Sequence, residues 1–139
     1  MLRALGWKSS FADLRSAHLA EPDRSLHRVT EVQRTGLIVA PPLSGARSNV
    51  PISGKWFQRP ERDRPTVGDW VVLDTTDGKL IEVLPRSSLL ARLSPAGNRT
   101  LQLIAANVDS AFVVTSCNAD FNVPRLERYV SVVLEAGIE

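Results

Sequence analysis

Thiols and imidazoles are almost absent from this chain, which has one cysteine, Cys117, and two histidines, His18 and His27. One thiol forms no internal disulfide, and these three residues make no zinc site, so Cys117 is expected to be a small core side chain. Long apolar runs are missing too. Stretches such as 111–114 and 132–134 fall far short of the roughly 20 residues that cross a bilayer, so no membrane partner is expected. The first residues, 1–7, hold no apolar stretch of signal-peptide length and run straight into polar Lys8-Ser-Ser10; a cytoplasmic chain is expected.

The parts needed for phosphoryl chemistry are also missing. A phosphate loop wraps the anion in backbone N–H groups from a glycine-rich turn, then adds a lysine and a hydroxyl residue. The only Gly-Lys pairs are Gly54-Lys55 and Gly78-Lys79; Trp56 or Leu80 follows, and Asn49 or Leu73 stands where the first glycine belongs. No aspartate has glycine three positions later, and no Asn-Lys-x-Asp guanine-reading motif occurs. Ser9-Ser10 and Ser87-Ser88 have no spacing to either histidine that points to a triad. Nucleotide-binding, metal-binding and catalytic residues are therefore all expected to be none.

What the chain does have is enough apolar material for a core. With 139 residues, 43% hydrophobic and 23% charged, it can fill one small barrel plus the start of a second unit. The net charge of +2 hides an uneven distribution: the basic excess lies in residues 1–66 and the acidic excess in residues 108–139. No acid separates Glu31 from Glu61, where Arg34, Arg47, Lys55 and Arg59 fall; Arg86, Arg92 and Arg99 share a second acid-free stretch, between Glu82 and Asp109. Such zones attract polyanions through counterion release. A solvated basic face without a partner fits the charge pattern equally well.

Ser10, with Asp13 three residues on, can cap a short N-terminal helix whose Phe11, Leu14 and His18 share a face. From His27 to Ile104 short apolar runs alternate with turn residues, at 29–40, 50–57, 67–73, 79–84, 89–93 and 101–105, which predicts five or six strands. Asp77-Gly78 tolerates the positive φ of a tight hairpin and joins the third run to the fourth. Pro41 to Gly45 and Arg59 to Pro65 read as loops. A small five-stranded OB-fold barrel accommodates this pattern, and an SH3-like barrel fits it almost as well. Asp69 reads as a turn or capping group, and Asn107 and Asp109 as structural residues at a junction.

Beyond Asn107 the periodicity changes. Residues 108–115 read as a strand covered on both faces. From Pro124, Leu126, Tyr129, Val130, Val133 and Leu134 form an amphipathic helical stripe that Gly137 can end, with Ile138 opening another strand. A lone strand and helix leave apolar surface uncovered unless they pack back on the barrel. Barrels of this kind bind nucleic acid by setting aromatic side chains in a basic groove, so Trp56, Phe57 and Trp70 are candidates. Strand alternation puts Trp56 and Phe57 on opposite sides, one of them in the core, and Trp70 is expected to be buried.

Four segments in order, Val67-Gly-Asp-Trp-Val-Val-Leu-Asp74, Ile81-Glu-Val-Leu-Pro-Arg-Ser-Ser-Leu-Leu-Ala-Arg-Leu93, Ala105-Ala-Asn-Val-Asp109 and Phe121-Asn-Val-Pro-Arg-Leu-Glu-Arg-Tyr129, resemble the ribosome small-subunit-dependent GTPase A family. The resemblance implies an N-terminal segment of a circularly permuted GTPase, whose nucleotide motifs would lie beyond Glu139. It divides the chain into a helical extension (1–26), an RNA-binding OB-fold (27–106) and the first strand and helix of an incomplete α/β GTPase domain (107–139). GTP, magnesium and a structural zinc are implied for the whole protein and none for this segment. The implied partner is the small ribosomal subunit and its rRNA rather than DNA, in a protein acting in late subunit maturation, and the basic residues that the charge pattern offers for the contact are Arg34, Arg47, Lys55, Arg59, Arg86, Arg92 and Arg99. The alternative is a barrel that contacts ribosomal proteins or its own GTPase domain without touching RNA.

Overall fold

The computed structural model describes Gly6 and residues 21–41, 46–94 and 100–139. The helix expected around Ser10 and the side chain of Arg99 lie outside that set. Among the described residues the strands are β1 (Arg24–Val32), β2 (Gly36–Ala40), β3 (Ser48–Pro51), β4 (Trp70–Asp74), β5 (Leu80–Val83), β6 (Leu89–Leu93) and β7 (Leu101–Ala106). Helices α1 (Gly54–Phe57) and α2 (Val123–Glu135) and a 3-10 turn (Glu61–Asp63) complete the set.

β1 to β5 form one antiparallel sheet in the order β3-β2-β1-β4-β5. It curls into a half-barrel around Val29, Leu37, Val39, Val50, Trp56, Val71, Leu73 and Leu80, each such burial stabilising by about 1.5–3 kcal/mol over exposure. In β4, Val71 and Leu73 face this core while Trp70 and Val72 alternate with them and are buried as well, which is why that strand reads as a continuous apolar run. The ladder between β1 and β2 shifts register between Val29 and Glu31, and a bulge of that kind bends a strand and increases its twist. The mainly β, five-stranded antiparallel sheet expected from the sequence is present, curled into a half-barrel consistent with an OB-fold rather than closed into a barrel.

Its strands are not all drawn from the expected runs. The run 29–40 is two strands, because Gln33 N–H donates to Gly36 O at 2.8 Å and folds the chain back. Gly36 is required there: a Cβ would lie 2.9 Å from the Val50 carbonyl oxygen. The run 50–57 leaves the sheet after Pro51 and turns helical, Trp56 N–H donating to Ser53 O at 3.0 Å. β6 and β7, expected in the barrel, pair only with each other. Asp77-Gly78 does join β4 to β5, with Gly78 at φ 67.

Residues 108–115, expected as a strand, form no extended ladder. Their one sheet-like contact is with Glu139: Ala111 N–H donates to Glu139 O (2.8 Å) and Glu139 N–H donates to Asp109 O (3.4 Å). Paired bonds of this pattern around Ser110 have the geometry of a single parallel rung, with α2 between the two paired segments. α2 has strong ends. Asn122 Oδ1 accepts the Arg125 N–H at 2.9 Å, Pro124 sits in the first turn, and Gly137 at φ 66 closes a Schellman motif in which Ile138 N–H reaches Val133 O at 3.2 Å. Cys117, expected in a core, is exposed, because nothing among the described residues covers the turn that carries it.

Candidate nucleic-acid interface

One end of the half-barrel gathers three of the expected basic residues. Arg34 lies on the β1–β2 turn, and Ile52 N–H donates to Thr35 O at 3.1 Å, tying that turn to the entry of α1. Lys55 and Phe57 are exposed on α1, whose other face buries Trp56. The sequence placed one of the two aromatics in the core; the structure agrees, with a helical turn in place of strand alternation as the cause. Arg59 leaves α1 and stacks its guanidinium over the Trp56 ring, 4.2 Å from the centroid. Such a contact contributes about 0.5–2 kcal/mol and fixes where the charge sits. Arg64 secures the loop from beneath, its Nη2 donating to Phe57 O (2.9 Å) and its Nε to Arg59 O (3.1 Å).

The remaining candidates lie elsewhere. Arg47 is exposed at the opposite end of the β2–β3 pair, where Val39 faces Ser48. Arg92 is exposed on the β6–β7 ribbon, Nε donating to Gln102 Oε1 at 3.1 Å. Trp70 is 1% exposed, with the Arg28 guanidinium 5.4 Å from its ring centroid. Burial draws that guanidinium below its ordinary value, partly offset by Asp109 and Asp69.

Arg86 is engaged inside the fold. Its Nε and Nη2 each meet an Asp69 carboxylate oxygen at 2.7 Å, Nη2 also reaches Arg64 O at 2.6 Å, and Nη1 donates to Arg62 O. Asp69, fully buried, also caps the Thr66 N–H at 2.7 Å, which is the turn role its position suggested. A buried carboxylate is tolerable only with such bidentate pairing. No local pattern joins these two residues, so the ion pair was not legible in the sequence.

Beside this latch, Asn107 forms the hinge pin of the chain. At φ 56 it occupies the left-handed region that Asn tolerates better than most residues. Its Oδ1 accepts the Ser87 N–H (2.9 Å), its Nδ2 donates to Gly68 O (3.0 Å), and its own N–H donates to Ser88 O (2.9 Å). Gly68, at φ 87, passes so close to Ala106 that a Cβ would collide with its carbonyl. Residues 67–69, 87–88 and 106–108 are thereby one knot, and Asn107 has the structural role expected of it.

No protein-family model matches the chain. Curated relatives do. It is 37% identical over 139 residues to small ribosomal subunit biogenesis GTPase RsgA 2 of Vibrio parahaemolyticus, covering 99% of this chain and 36% of that protein. It is 38% identical over 118 residues to RsgA of Xylella fastidiosa, covering 81% and 33%, and 36% identical over 138 residues to RsgA of Xanthomonas oryzae, covering 96% and 34%. The chain is a homologue of the N-terminal part of the RsgA family.

It spans about a third of the length of the RsgA relatives it matches. Two solved structures share the fold: YjeQ from Thermotoga maritima (TM-score 0.56, 22% identity, 84% of this chain and 39% of that one) and YloQ, described as a circularly permuted GTPase (TM-score 0.53, 21% identity, 84% and 38%). The sequence has no phosphate loop, and no group of three His, Cys, Asp or Glu side chains converges among the described residues. No helix among them is long and apolar enough to cross a membrane.

Proposed function

We propose that this chain is the rRNA-binding front of a cytoplasmic GTPase acting in late maturation of the small ribosomal subunit. Residues 27–106 would bind the RNA, and residues 107–139 would open the circularly permuted GTPase domain, which hydrolyses GTP with magnesium and is followed by a zinc-binding domain. The observation that carries the reading is that exposed Arg34, Lys55, Phe57 and Arg59 lie on two segments, the β1–β2 turn and α1 with its exit, that the Thr35–Ile52 hydrogen bond ties together at one end of the half-barrel. Basic side chains that neutralise phosphates release counterions, and Arg59, already stacked on Trp56, loses little freedom in doing so. Arg47, Arg92 and Arg99 are outlying contacts in this reading, while Arg86, whose guanidinium makes four hydrogen bonds within the fold, is left to hold the barrel together.

The knot at Asn107 fits the division of labour, since it would transmit the barrel's position on RNA rigidly to the segment that follows. The test is cosedimentation of the chain with purified small subunits across a salt series, with large subunits and an unrelated RNA as competitors. Selective binding that weakens steeply with salt is expected. Equal binding to every RNA would reduce the barrel to a generic basic surface, and salt-independent binding would favour a protein-docking barrel instead.

A further inference from the structure

We infer that Phe57 is a stacking platform for an unpaired RNA base, with Lys55 and Arg59 on the same segment attracting the RNA's phosphates. The inference rests on the RNA-binding reading above and adds the class of RNA: single-stranded or bulged, not duplex. Phe57 is 49% exposed although its neighbour Trp56 is 1% exposed, so α1 turns one aromatic into the core and holds the other in solvent. The backbone that carries the ring is also held in place. Gln58 N–H closes the helical turn on Gly54 O at 3.3 Å, and Arg64 Nη2 grips the Phe57 carbonyl at 2.9 Å, so little order is lost when a base arrives.

The chemistry around the ring selects the ligand. Lys55 and Arg59 lie two residues to either side in the chain, and no acidic side chain occurs between Glu31 and Glu61. Arg59 is already stacked on Trp56, and a stacked guanidinium donates from its edge, where a phosphate binds. An apolar protein partner would gain nothing from that cationic frame. A paired base hides its faces in the helix, whereas an unpaired base offers one to an aromatic ring.

The test measures binding of the full chain to a single-stranded oligoribonucleotide and to a duplex with the same number of phosphates. Phe57→Ala is expected to weaken single-strand binding about tenfold, to change duplex binding less than about twofold, and to leave the salt slope intact. Phe57→Leu, which keeps apolar bulk without a π face, should behave like Phe57→Ala, and Phe57→Trp like the parent. Equal losses on both RNAs, no loss at all, or full rescue by leucine would each overturn the platform. Failure of the unsubstituted chain to bind either RNA would overturn the RNA-binding reading itself.

Discussion

In the half-barrel Val29, Leu37, Val39, Trp56 and Val71 are each at most 1% exposed, whereas beyond Asn107 Phe112 is 93%, Val114 84% and Leu134 68% exposed. The two regions use the same kinds of apolar residue, so hydrophobicity does not distinguish them. What differs is whether a facing layer exists. β4 is covered on both sides, while residues 111–114 and α2 line an open apolar groove with Leu90 and Ile104. Secondary structure, here a well-capped helix, forms where local signals are strong; burial needs partners that local signals do not supply.

The sharpest way to break the comparison is through the latch. Asp69→Ala leaves the Arg86 guanidinium, 13% exposed, without its carboxylate, and a broken buried pair costs about 3–5 kcal/mol. Urea denaturation should show the whole barrel transition moving to lower midpoint, and an unchanged midpoint would remove the latch from the account. Next comes the pair Leu37→Ala and Leu134→Ala. The first, at a position 0% exposed, should cost about 2–5 kcal/mol, and the second less than about 0.5 kcal/mol. Similar costs would mean that the helix face is covered after all.

A smaller effect is expected at the helix end. Asn122→Ala removes the side-chain cap on α2 and should cost about 1 kcal/mol. Hydrogen exchange should register it in the first turn of α2 and leave β1 and β4 untouched. The smallest effect concerns His27. Burial pulls its pKa below the ordinary 6.5, so the unfolded chain takes up the proton first as pH falls. Stability should be full above about pH 6.5, decline below it, and decline less in His27→Gln, as thermal melts across that range would show.

Much of this was legible locally. Asp77-Gly78 fixed the β4–β5 hairpin, the spacing of Leu126, Tyr129 and Val133 marked α2, and Gly137 marked its end. The β1–β2 turn was hidden because Thr35-Gly36 sits inside a run that scores as strand throughout, although the polar Gln33-Arg34-Thr35 ahead of that glycine was an available signal. The Asp69–Arg86 pair and the Asn107 knot carried no signal of that kind, since both depend on side chains brought together by barrel closure. For the same reason the seven basic candidates looked alike in the sequence. Only the fold separates Arg34, Lys55 and Arg59, which share one end, from Arg47 and Arg92 on other surfaces and part-buried Arg86 in its ion pair with Asp69.

In the proposed function the basic end of the half-barrel carries attachment to the small subunit. Its most direct test is cosedimentation of a chain bearing Arg34→Glu, Lys55→Glu and Arg59→Glu with small ribosomal subunits, beside the parent and an Arg47→Glu, Arg92→Glu control. The account predicts that the triple variant, still folded by circular dichroism, stays in the supernatant at a salt concentration where parent and control pellet. Undiminished pelleting of the triple variant would contradict it.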